Sequence, residues 1–98
     1  MKAVFLDRKT FDDTLDLKTI IENTADFTQF ELTSSDEVVS RAIDADIVIT
    51  NKVVLDETTL HQLPKLKLIC VAATGTNNID IEAAKNLGIA VTNVAGYA

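Results

Sequence analysis

The sequence predicts an α/β domain built on an open, parallel, five-stranded sheet. Three features carry that expectation. Short apolar runs alternate with segments of helical period, and the connections between them are only a few residues long. The run 68–73 is apolar throughout, as a strand covered on both faces must be. Strands joined in this way are parallel, with right-handed crossovers.

Residues 2–6 form the first strand, and Asp7-Arg8-Lys9 end it. Asp16 can cap a first helix whose apolar stripe is Leu17, Ile20 and Ile21. Residues 27–32 show a weak period of two, which predicts an edge strand with one wetter side. Ser34 and Glu37 stand at capping-box spacing where a second helix opens, with Val38, Val39, Ala42 and Ile43 as its expected buried stripe. Residues 46–50 are the third strand. Asp56 caps a short helix that stops at Pro64, with Leu60 and Leu63 inward. Residues 67–73 are the fourth strand. Asp80 caps a fourth helix with Ile81, Ala84 and Leu87 inward, and Gly88 supplies its left-handed exit. Residues 89–93 are the fifth strand. The expected strand order is 2-1-3-4-5, as in flavodoxin-like folds. Residues 94–98 follow without the closing helix that such a sheet normally has. The expectation is therefore one domain over 1–98, cut before its end.

Composition narrows the function. An apolar fraction of 47% suffices for a packed core in 98 residues. The net charge of −6 is unevenly placed. Residues 1–50 hold five Lys/Arg against eleven Asp/Glu, whereas residues 51–98 hold four of each. An acidic domain without a basic stripe repels phosphate backbones, so no nucleic-acid partner is expected. No run is long enough to span a bilayer, and Met1-Lys2 is followed by only four apolar residues before Asp7, so neither a membrane partner nor a signal peptide is expected. The single cysteine, Cys70, sits in an apolar run and reads as inert core, which suits a cytoplasmic protein.

Ligands of open parallel sheets collect at the carboxyl ends of the strands. The sharpest candidate there is Thr74-Gly75-Thr76-Asn77-Asn78, between a buried strand and the cap Asp80. Gly75 lets consecutive backbone N–H groups face outward, so Thr74 and Gly75 can hold a carboxylate or phosphate beside a helix start. A plain tight turn is the competing reading. Lys52 follows the third strand and can set a cation beside that anion, or it is a solvated loop lysine. Tyr97 can reach the same crevice, or it packs against whatever follows residue 98. His61 reads as a surface residue, and no second histidine exists to serve as a base. Glycines occur only at 75, 88 and 96, which excludes a Gly-rich dinucleotide loop or P-loop, and no metal-ligand cluster is present.

The stretch 66–80, from Leu66-Lys67-Leu68-Ile69 to Asn78-Ile79-Asp80, then Ala83-Ala84-Lys85-Asn86-Leu87-Gly88-Ile89-Ala90-Val91 and Asn93-Val94-Ala95-Gly96-Tyr97, resembles the D-2-hydroxyacid dehydrogenases. The glycerate dehydrogenase/hydroxypyruvate reductase branch is the most similar. Asn51-Lys52-Val53 and the first strand agree with it. The resemblance implies a substrate-binding (catalytic) domain built from both chain ends, with an NAD-binding Rossmann domain inserted between them. It implies that Thr74 and Gly75 hold the substrate carboxylate and that Lys52 and Tyr97 line the cleft. It also implies an NAD or NADP cofactor in the parent enzyme and a small 2-keto or 2-hydroxy acid as substrate. The family's catalytic arginine, its acid–histidine pair and its GxGxxG loop match nothing here and are expected beyond residue 98. The chain alone is expected to be inactive and to hold no cofactor.

Two rivals fare worse. A receiver domain would need an aspartate where the third strand ends in Thr50-Asn51, and a lysine where the fifth ends in Asn93. A flavodoxin would need amide-rich turns where residues 7–11 are charged and glycine-free. A free-standing binding or assembly module with the same fold stays open. Finally, the expected topology puts the second, third and fourth helices on one face. The other face of the last three strands is then expected to be bare and apolar, which predicts a homo-oligomer.

Overall fold

The computed structural model describes residues 2–7, 26–71 and 78–93. Five strands form one all-parallel sheet in the order β2-β1-β3-β4-β5. They are β1 (Lys2–Phe5), β2 (Asp26–Gln29), β3 (Ile47–Thr50), β4 (Leu68–Val71) and β5 (Ala90–Asn93). The described helices are α1 (Val38–Ala42), α2 (Glu57–His61) and α3 (Ile81–Asn86). The expected first helix, with Asp16, Leu17, Ile20 and Ile21, lies outside the described residues, as do residues 94–98. Among the described residues no helix is long and apolar enough to cross a membrane.

The alternation of side chains across the pleat divides the core in two. On one face Val4, Leu6, Val48, Ile69 and Val71 pack with Val38 and Ala42 of α1, Leu60 and Leu63 around α2, and Ala83 and Ala84 of α3. All three described helices therefore share one face, as the right-handed crossovers require. On the other face Ala3, Phe5, Ile47, Ile49 and Cys70 form a second cluster, joined by Phe27 and Leu68.

That second cluster corrects the expectation of a bare apolar face. Ala3, Phe5 and Ile49 are fully buried, and Ile47 and Cys70 nearly so. The register pairs Leu68 with Ala90 and Cys70 with Thr92, so β5 adds to this face only a small residue and a polar one. Both are exposed. The face is covered where it is strongly apolar, and where it is open it carries little to cover.

The caps at Asp56 and Asp80 form as expected. Asp56 accepts from the Thr59 amide at 2.9 Å, and Asp80 from the Ala83 amide at 3.0 Å. Gly88 leaves α3 with φ +77°, the left-handed exit. Two helix faces differ from the expectation. Ile43 is 43% exposed at the end of α1, and Ile81 and Leu87 are 43% and 39% exposed on α3. Both helices are about a turn and a half long, so only a narrow stripe reaches the sheet. On α3 the small pair Ala83 and Ala84 fills that stripe and lets the helix sit close, which rotates its larger residues outward. The capping box at Ser34 is half formed. Glu37 accepts the Ser34 amide at 3.2 Å, but the Ser34 hydroxyl donates to the same carboxylate at 3.0 Å. The helix proper begins only at Val38.

Backbone amides hold several carboxyls below their usual range. The Lys2 amide does so for Asp46, the Thr59 amide and hydroxyl for Asp56, and the Ser34 amide and hydroxyl for Glu37. A carboxyl whose folded pKa is depressed stabilises the fold above its unfolded value, and that contribution disappears as pH falls through the folded value. Denaturant unfolding measured from about pH 6 down to about pH 3 should show stability falling steadily below about pH 4. Asp46→Asn should make that acid limb shallower; a flat profile in the unmodified chain would contradict the assignment.

Candidate functional site

The candidate site lies at the carboxyl edge of the sheet, where β1 and β3 end side by side. The register pairs Phe5 with Ile49, and the Leu6 amide continues the ladder to the Ile49 carbonyl at 3.0 Å. One step further, Asp7 leaves β1 directly beside the turn that leaves β3. Its carboxylate turns into that gap. Oδ1 accepts the Asn51 amide at 2.9 Å and the Thr50 hydroxyl at 3.3 Å, and Oδ2 accepts the Lys52 amide at 2.7 Å. Asp7 is 2% exposed, so this carboxylate is stabilised by protein donors in place of water. Thr50, fully buried, closes the turn by accepting the Val53 amide on its hydroxyl at 3.0 Å.

The far side of the turn is tied to the segment after β4. The Asn78 side-chain amide donates to the Val53 carbonyl at 2.7 Å, and the Leu55 amide donates to the Asn78 carbonyl at 2.8 Å. The Asp80 amide returns a bond to the Leu55 carbonyl at 3.0 Å, which makes a parallel bridge between Leu55 and Ile79. Residues 50–55 are thus clamped from both sides, by Asp7 at one end and by 78–80 at the other. Lys52 stands in the middle of this span with its side chain exposed.

Of the residues expected to carry function, only Lys52 falls within the described residues; Thr74, Gly75 and Tyr97 lie outside them. Asn78, where the described chain resumes after that loop, is held against the Lys52 turn. Sequence reasoning missed the parts that hold this site. Asp7 was legible only as the end of a strand, and its position next to the end of β3 follows from strand order. Asn78 was legible only as one of a run of loop-forming residues.

Other polar groups have structural duties. Arg41 donates to the Leu32 carbonyl and the Thr33 hydroxyl, each at 2.8 Å, pairs with Glu37 at 2.8 Å and lies 4.2 Å from the Phe30 ring centroid. It fixes the chain leaving β2. Cys70 is buried, and burial pushes its thiol pKa up, so it remains a thiol. His61 is exposed at the end of α2. Among the described residues no group of three His, Cys, Asp or Glu could hold a metal ion.

This chain is similar to known proteins over nearly its whole length. The "putative 2-hydroxyacid dehydrogenase" of Haemophilus influenzae is 51% identical over 98 residues, covering 99% of this chain and 30% of that one. A glycerate dehydrogenase of Methylorubrum extorquens is 44% identical over 98 residues, again covering 99% of this chain and 30% of its own. The NAD+-bound 3-phosphoglycerate dehydrogenase of Entamoeba histolytica superposes with a TM-score of 0.79 at 31% identity, over 95% of this chain and 32% of that one. The chain thus spans about 30% of the length of the relatives it matches. The sequence profile of the D-isomer specific 2-hydroxyacid dehydrogenase catalytic domain matches residues 6–98. The chain belongs to the D-isomer specific 2-hydroxyacid dehydrogenase family, within that family's catalytic domain.

Proposed function

We propose that these residues are the N-terminal part of the substrate-binding domain of an NAD(P)-dependent dehydrogenase acting on a small 2-keto or 2-hydroxy acid of the hydroxypyruvate, glyoxylate or glycerate type. Within it, the backbone amides of Thr74 and Gly75 receive the substrate carboxylate, Lys52 supplies a cation beside it, and Tyr97 lines the same cleft. The observation that carries this reading is the clamp on residues 50–55. It fixes the turn that carries Lys52 between Asp7 and Asn78, which lies three residues beyond Gly75 in the chain. A cation carried on a clamped turn at the carboxyl edge of the sheet suits a small carboxylate better than a larger or neutral ligand.

The cofactor would be NAD or NADP, supplying or accepting hydride at the substrate carbon. The residues of this chain do not fit it. Gly88 ends a helix in place of opening one, and only two other glycines exist, at 75 and 96. The contribution of these residues is binding and orientation, with hydride chemistry left to the rest of such an enzyme. A free-standing binding module with the same turn would bind the same anions, and coding sequence beyond residue 98 discriminates the two.

Titrating hydroxypyruvate into the ¹⁵N-labelled chain should shift the amides of Thr74, Gly75 and Lys52 first. Binding should be weak, with Kd on the order of millimolar, because a solvated amide turn with one cation offers few contacts. NADH added to the same sample should not be consumed. Shifts confined to other residues, or turnover that survives repurification, would count against the reading.

Self-association belongs to the proposal too, on different grounds from the covered sheet face. Val54, Ile81 and Leu87 are large apolar side chains left exposed. Sedimentation should show a homo-oligomer of the chain at high concentration, and a clean monomer there would remove this part.

A further inference from the structure

We propose that Asp7 is a positioning residue for substrate binding: its buried carboxylate sets where Lys52 stands. This rests on the substrate-site reading given above and adds to it the group that holds the site in shape. Burying a carboxylate is costly unless donors surround it, and an apolar residue at the end of β1 would avoid that cost. What the carboxylate provides is two acceptor oxygens aimed at two consecutive amides, Asn51 at 2.9 Å and Lys52 at 2.7 Å. No apolar side chain, amide or hydroxyl can receive both in that geometry. With Asn78 holding the Val53 carbonyl at 2.7 Å, the Lys52 α-carbon is fixed from its own amide and from the next residue onward. A strand end needs no such bracing to terminate. A residue whose side chain must meet a small anion does, because a shift of about an ångström in a binding group weakens its contact severely.

Asp7→Asn keeps the size and breaks the pattern. Its NH₂ group must face one of the two backbone donors, so the turn has to move. Lys52 would touch the substrate carboxylate, away from the reacting carbon, in ground and transition state alike. Its misplacement should therefore appear in KM and much less in kcat.

The test uses the intact dehydrogenase carrying these residues, assayed with hydroxypyruvate and NADH. Lys52→Met should raise KM. Asp7→Asn should raise KM by about tenfold while kcat stays within about threefold. Val48→Ala, a core change matched for loss of thermal stability, should leave KM in place. If Lys52→Met leaves KM unmoved, the substrate-site reading fails, and this inference fails with it. If Lys52→Met raises KM and Asp7→Asn does not, the inference alone is overturned. An equal rise in KM with Val48→Ala would also overturn it, since loss of stability would then suffice. Should Asp7→Asn not fold, Thr50→Val decides, because it removes the hydroxyl shared by Asp7 and the Val53 amide. A KM raised by about threefold supports the inference, and an unchanged KM overturns it.

Discussion

The carboxyl edge of this sheet is organised around the Asp7 carboxylate. A carboxylate at 2% exposure needs donors in place of its hydration, and three of them come from the turn that follows the neighbouring strand. That exchange has consequences in both directions. The turn at 50–53 satisfies Asp7, and Asp7 fixes the turn. Through Asn78 and the Leu55–Ile79 bridge the same turn then holds the start of the segment leading into α3. Two strand ends and the segment that leads into α3 are joined by polar contacts at the edge where ligands of such sheets bind.

The opposite edge is built by a parallel device of less consequence. Asp46 accepts the Lys2 amide on its side chain, and its carbonyl accepts the Lys67 and Leu68 amides, tying the starts of β1, β3 and β4. Between these two edges the sheet is held by its backbone ladders and by apolar packing, with β3 buried at every position. The division is physically sensible. The centre contributes stability through burial, while the polar ends set register and the direction in which each turn departs.

Much of this was legible from residue order. The five strands follow from alternation, their order 2-1-3-4-5 matches the flavodoxin-like arrangement expected for such a sheet, and the caps Asp56 and Asp80 follow from their place before apolar stripes. The failures share a cause. Ile43, Ile81 and Leu87 match a helical stripe in sequence, yet helices this short touch the sheet over barely one turn, so small Ala83 and Ala84 take the inner positions. The bare apolar face was inferred from helix count, which says which side a helix lies on and not how much of the sheet the chain covers. At the site, Lys52 was legible because its position follows a strand end. Asp7 and Asn78 were not, because their roles depend on bonds spanning 45 and 25 residues that no local pattern encodes.

Amide hydrogen exchange in the unmodified chain tests the clamp most directly. Asn51 and Lys52 lie beyond the last residue of β3, where a turn would ordinarily exchange almost freely. If the Asp7 carboxylate holds both, their amides should exchange within about tenfold of those inside β3. Exchange of either amide near the unprotected rate, while β3 stays protected, would contradict the account.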